Sequence, residues 1–207
     1  MDIYTDIEDD IEERISEFKE LWEEADDERL FDELVFCLFT PQSKAKVCWN
    51  TVKDLREKEK ILTAEQEEMA ELIRRVRFKN NKAGYVIEAR ERFVEDDGAD
   101  IRDILSDMKN DKERRVWLVD NVKGLGYKEA SHFLRNIGLG DDLAILDRHI
   151  LKNLEKLGVI DETPKSLTPK RYKKIEKKMA EFADDIGIPL GHLDLVLWYK
   201  ETGEIFK

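Results

Sequence analysis

The sequence predicts an all-α fold, and three observations carry that reading. Apolar residues recur three and four apart, alternation of β-branched residues is scarce, and only 4 of 207 residues are proline. Hydrophobic and charged residues each make up 41% of the chain. The first fraction supports a sizeable core. The second, well above the usual ~25%, fits long solvated helix faces. A chain of this length forms one large domain or two small ones that share a core.

The formal net charge of −12 is unevenly spread. Residues 1–30 hold 14 acidic and 3 basic side chains, whereas the other 177 residues hold 34 and 33. Most of the acidity is local, so the remainder can still present a basic face and the global charge excludes little. Cys37 and Cys48 match no metal-ligand spacing and make no disulfide framework. They read as two reduced thiols on the helices of residues 31–52, and no metal or other cofactor is expected. There is no secretory signal and no apolar run near the ~18 residues of a membrane span, so a cytoplasmic protein off the membrane is expected.

In chain order, residues 3–25 place Ile7, Ile11, Ile15, Phe18 and Trp22 on one stripe of an amphipathic helix with an acidic outer face. Asp27 or Asp32 can cap the next helix, whose run Leu34-Val35-Phe36-Cys37-Leu38-Phe39 is apolar all round and therefore buried. It stops at Thr40-Pro41, because proline disfavours helical backbone at the residue before it. Gln42-Ser43-Lys44-Ala45-Lys46 then opens a helix through Val52, its start being either a phosphate-binding N-terminus or a plain polar turn. Residues 62–76 predict a further helix capped at Thr63, with Glu65, Gln66 and Glu67 in its first turn.

From Arg74 to Arg92 there are 7 basic and 2 acidic side chains, with Phe78 and Tyr85 interleaved. That pattern suits a nucleic-acid surface, and equally a solvated turn with two core aromatics. Short helices follow at 99–108 and 111–121. A second basic cluster, Lys170 to Lys178, lies on a helix reaching Ile186 and reads as a solvated face. Pro189 breaks the chain, residues 193–199 make the final apolar helix, and 201–207 form a tail.

Residues 116–150 hold the chemistry. A hairpin, Lys123-Gly124-Leu125-Gly126, joins two helices, the second opening at Tyr127-Lys128. Glycines at 124 and 126 permit positive φ and leave backbone N–H groups unshielded, a cradle for one phosphate or an ordinary helix–helix connection. Lys128 stands in the first turn of a helix, against the positive end of its dipole. If it is not simply solvated, that field with partial burial should depress its pKa and supply a free amine for Schiff-base chemistry. Asp147 precedes the helical run Ile150, Leu151, Leu154, Leu157 and so takes the N-cap, which favours its ionised form. A carboxylate held there can also steady positive charge developing on a sugar carbon.

The stretch 118–150 resembles the helix–hairpin–helix and catalytic-aspartate motif of the DNA glycosylase superfamily that includes endonuclease III. GLGYKEASHFLRNIG and LAILDRHIL are most similar to the second 8-oxoguanine glycosylase family of archaea and some bacteria. Leu193-Asp194-Leu195-Val196-Leu197-Trp198-Tyr199 and a chain ending on Lys207 extend the likeness to most of the sequence. The resemblance implies a two-lobed all-α fold with the active site in the interlobe cleft. One lobe would span 32–137, and the other would combine 1–31 with 138–207.

It further implies a monomeric base-excision enzyme acting on double-stranded DNA that contains 8-oxoguanine, with Lys128 the nucleophile at C1′ and Asp147 its carboxylate partner. Trp198 would stack on the extruded base with Tyr85 opposite. The Lys207 terminal carboxylate, together with Asp194, would read the lesion edge. Gln42 resembles the glutamine that enters the vacated stack, and Lys123, Gly124, Gly126 and His149 complete the DNA-binding set. No four-cysteine cluster accompanies them, so no iron–sulfur site is implied. Two alternatives remain open: a related glycosylase for oxidised pyrimidines or mispaired bases, and a non-catalytic DNA-binding module.

Overall fold

The computed structural model describes residues 2–94 and 100–207. Among the described residues the chain is helical throughout, without a strand: α1 (Asp2–Glu24), α2 (Asp27–Phe39), α3 (Ala45–Glu57), α4 (Lys60–Thr63), α5 (Gln66–Leu72), α6 (Lys79–Phe93), α7 (Ile101–Ser106), α8 (Asp111–Asn121), α9 (Tyr127–Asn136), α10 (Arg148–Lys156), α11 (Pro169–Ile186) and α12 (Leu190–Thr202). The helices form two compact units, one of Glu23–Phe133 and one of Met1–Trp22 with Leu134–Lys207.

In the first unit α2 is the core. Every residue from Leu30 to Phe39 is buried, and α3, α6 and α7 pack around it. Asp26, not Asp27 or Asp32, caps it: Asp26 is extended and its carboxylate accepts from Arg29 N at 2.8 Å. Asp32 instead lies one turn in, buried, with Arg56 Nη1 at 2.6 Å from its Oδ2. Burial outweighs that partner and pushes its carboxyl up to about 6.

The single helix expected over 62–76 is two short ones. Thr63 does not cap; its hydroxyl donates back to Glu59 O, and Ala64 turns to extended backbone. The Ala64 carbonyl accepts from the buried Arg90 guanidinium at 2.9 Å, so a tertiary bond takes the place of the helical one. The ladder then resumes in α5. The helix expected from Ala99 is Ile101–Ser106, and Ala99 itself lies outside the described residues.

In the second unit the α1 stripe meets α12: Ile7 and Ile11 cluster with Leu195 and Val196, flanked by Tyr4, Ile15, Tyr199 and Ile205. Tyr4 Oη lies 3.0 Å from His192 Nδ1. Gly138, at φ 79°, approaches α1 so closely that a Cβ there would lie 2.5 Å from Lys19 Cα. The final helix extends beyond the expected 193–199 at both ends, and α10 and α11 pack against it.

Candidate active site

The hairpin unit is built from its first helix forward. Asn110 caps α8 by accepting from Glu113 N at 3.0 Å. Arg115 within α8 is 1% exposed; its guanidinium donates to Ser131 Oγ of α9 at 3.1 Å and lies over the Tyr127 ring. Val122 and Leu125 are buried on either side of the turn, and Leu125 N bonds to Val122 O. The two helices are thereby held as a fixed pair, with the turn at their joint.

Of the two hairpin glycines only Gly124 uses positive φ, at 96°. Tyr85 lies directly against it, and Lys123 Nζ sits 6.0 Å from the centroid of the same ring. Lys123 is otherwise exposed and bonded to Glu88 Oε1 at 2.5 Å, which raises its pKa. Lys128 occupies the second position of α9, half-buried, with Glu129 Oε1 3.4 Å from its Nζ.

Gln42 is exposed on a tight turn at φ 56°, a left-handed conformation uncommon for a side chain of its kind. The basic segment beyond it divides in two. Arg74, Arg75 and Arg77 are exposed and Phe78 is 50% exposed, whereas Lys82 and Arg90 point inward and are buried. Phe78 is therefore not a core aromatic. Tyr85 is half-buried on the hairpin.

The other unit carries Asp147. Its Oδ1 accepts from His149 N at 2.7 Å and Ile150 N at 2.8 Å, the expected N-cap of α10. The approach to it, Leu143 to Leu146, is buried and fastened from α11. Tyr172 Oη donates to Ala144 O and accepts from Leu146 N, while Glu176 accepts from Ala144 N at 3.0 Å. Tyr172 and Glu176 lie in the basic stretch expected to be a solvated face; its lysines are on the surface, and Tyr172, Ile175 and Glu176 are the inward positions between them.

Trp198 meets the imidazole of His149 edge to face, ring centroids 5.6 Å apart. Glu201 Oε2 lies 3.6 Å from His149 Nδ1, and Asn153 Nδ2 bridges His149 O and Glu201 Oε1. Asp147, His149 and Trp198 are thus brought together by α10 and α12. Asp194 is 4% exposed, and its Oδ2 accepts from Arg135 Nη1 at 2.7 Å. One oxygen of its carboxylate is held in this ion pair. Lys207 is half-buried.

The sequence-derived residues therefore fall into two groups. Tyr85, Lys123, Gly124, Gly126 and Lys128 gather around the hairpin in one unit, where Gln42 also lies. Asp147, His149, Asp194, Trp198 and Lys207 belong to the other. The supporting residues Arg115, Arg135, Lys82, Tyr172, Glu176 and Glu201 were missed. Arg115, Arg135, Lys82 and Glu176 are buried charges, and a charge amid a charged sequence gives no sign that it is buried.

Comparison with known proteins gives a consistent answer. The family model for 8-oxoguanine DNA glycosylase matches residues 11–188. An 8-oxoguanine DNA glycosylase/AP lyase of Fusobacterium nucleatum is 47% identical over 205 residues, spanning 99% of this chain and 94% of that protein. The crystal structure of the 8-oxoguanine DNA glycosylase of Thermotoga maritima has a TM-score of 0.88 at 35% identity, covering 99% of this chain and 95% of that one. The Methanocaldococcus jannaschii 8-oxoguanine glycosylase/lyase, solved with a 15mer DNA containing 8-oxoguanine, has a TM-score of 0.88 at 38% identity over 97% of this chain and 93% of its own. The hairpin with its lysine and the capping aspartate thus stand in a chain that belongs to the 8-oxoguanine DNA glycosylase family.

Proposed function

We propose that the protein excises 8-oxoguanine from double-stranded DNA and then nicks the abasic strand. The observation that carries this reading is Lys128, half-buried in the first turn after a fixed glycine hairpin, in a chain of this family. The hairpin grips one phosphate through backbone N–H groups, and the damaged nucleotide turns out of the stack at a cost of about a few kcal/mol. The free-amine form of Lys128 attacks C1′. The C1′–N9 bond breaks, its electron pair leaves with the base, and the base takes up a proton.

Opening of the sugar ring gives a Schiff base between C1′ and Nζ. Loss of a 2′ proton then expels the 3′ phosphate by β-elimination, and water releases the lysine. Asp147 steadies the positive charge at C1′ while it caps α10. Trp198, braced by His149, stacks on the extruded base; Lys207 with Asp194 reads its edge, and Tyr85 stacks on the opposite face. Gln42 enters the gap in the duplex, and Lys123, Gly124, Gly126 and His149 contact the backbone. The enzyme works as a monomer in the cytoplasm of a prokaryotic cell. No described helix is long and apolar enough to cross a membrane.

A panel of single-lesion duplexes treated with borohydride tests the reading. A trapped covalent adduct and strand cleavage are expected on the 8-oxoguanine duplex. Preferential cleavage of a thymine glycol duplex would overturn the substrate, and binding without any adduct would overturn the lyase.

A further inference from the structure

The Gln42 turn has an unusual support. Helix α2 ends at Phe39 with no basic residue in its last turn, so its C-terminal carbonyls must find partners elsewhere. Cys37 O accepts from Thr40 N and Oγ1, and Thr40 O accepts from Ser43 N at 2.9 Å. Three further groups converge on one side chain from α6. Lys82 Nζ donates to Phe39 O at 2.7 Å, to Pro41 O at 2.7 Å and to Ser43 Oγ at 3.3 Å.

Lys82 is 3% exposed, and among the described residues its ammonium bonds to carbonyl and hydroxyl oxygens and to no carboxylate. Its partners are the negative end of a helix dipole and the turn that follows. Such a cation is expensive to bury, and a solvated lysine elsewhere would spare that cost. Ser43 Oγ also accepts from Arg77 N at 3.0 Å, which couples the turn to the exposed Arg77–Phe78 step. Among the described residues, two of the three other than glycine with positive φ, Gln42 and Phe78, lie on these linked turns. Left-handed backbone of this kind persists where surrounding contacts over-determine it.

We infer that Lys82 is a positioning residue: it locks the Thr40-Pro41-Gln42-Ser43 turn, and through Ser43 the Arg77–Phe78 step, in the geometry that presents Gln42 and Phe78 to duplex DNA. The DNA-facing part rests on the role proposed for Gln42; the locking itself does not. Lys82 touches neither substrate nor reacting atoms, so its removal leaves the Lys128 nucleophile itself in place.

The test uses the full-length Lys82→Met variant, with Lys82→Gln in reserve because its amide keeps two donors. Hydrogen exchange at the Ser43 amide reads the lock and should accelerate by roughly tenfold or more, the scale of one lost buried hydrogen bond. Duplex affinity should fall by roughly tenfold, and combining Lys82→Met with Gln42→Ala should cost no more than either alone. Borohydride trapping on a single-stranded abasic oligonucleotide should match wild type. Unchanged exchange at Ser43 would overturn the inference, as would trapping that falls in step with duplex affinity. Accelerated exchange with Gln42→Ala leaving duplex affinity intact would uphold the lock and remove only the role given to Gln42.

Discussion

The Tyr85 ring occupies the space that a side chain at residue 124 would need: a Cβ built on Gly124 would lie 2.4 Å from Tyr85 Cδ2. Two independent constraints therefore act on one glycine, its φ of 96° and its aromatic neighbour. Gly124→Ala should cost about 1–2 kcal/mol for the left-handed backbone and more for displacing the ring. In a Tyr85→Ala background only the backbone part should remain. Thermal unfolding of the four proteins in the cycle measures the difference, and duplex affinity should fall with both single changes.

Lys128→Gln should abolish the borohydride-trapped adduct while keeping the fold. Its visible partner is the neighbouring Glu129 at 3.4 Å, a partly exposed pair of small worth. Unfolding free energy should stay within about 0.5 kcal/mol of wild type. An adduct that survives the substitution would move the nucleophile elsewhere.

Asp147 has a cap to hold and a proposed charge to supply, and two substitutions separate them. Asparagine caps nearly as well as aspartate, whereas alanine should cost about 1 kcal/mol. Asp147→Asn should therefore lose base excision at near wild-type stability, and Asp147→Ala should lose both. Equal excision by the asparagine variant and wild type would confine this residue to the cap.

Asp194→Ala strands Arg135 in the interior. Removing one member of a buried pair typically costs about 3–5 kcal/mol, because the remaining charge has lost its counter-ion. Chemical denaturation should register most of that. Asp194→Asn keeps an acceptor for the guanidinium, so a change in lesion preference at modest stability loss would separate base reading from the ion pair.

Burial lowers the Lys82 pKa from 10.5 to about 8, while Cys48 and Glu129 oppose the shift and the charge of Lys128 adds to it. Between those values the unfolded chain binds more protons than the folded one, so this group alone makes stability rise with pH. Cys48 acts in the opposite sense: its thiol is pushed up from 9.0 to about 11, which costs stability as pH climbs through that window. From pH 7 to 9 the lysine dominates. Wild type should gain stability over Lys82→Met across that interval, read as a difference in Tm.

The parts legible in the sequence were those fixed by neighbours along the chain. The hairpin, the placement of Lys128 on α9 and the Asp147 cap each follow from a local rule about glycine, helix ends or capping. What escaped was set by partners far away in sequence. Ala64 leaves the helix because Arg90 takes its carbonyl, Gly124 is crowded by Tyr85, and Lys82 is buried while Arg74 and Arg75 in the same basic stretch are not. Asp26 in place of Asp27 is a smaller shift, one residue at a helix start where several carboxylates compete for the same N–H groups.

The two thiols acquire a meaning from their surroundings. Cys37 and Cys48 are both fully enclosed, and Cys48 Sγ donates to Phe39 O at 3.2 Å. The thiolate is the form that attacks peroxide, and the Cys48 thiol, raised to about 11, offers almost none at neutral pH. These sulfurs are screened from the oxidants whose product in DNA the enzyme is proposed to remove, so its repair capacity should outlast the stress that creates the need for it.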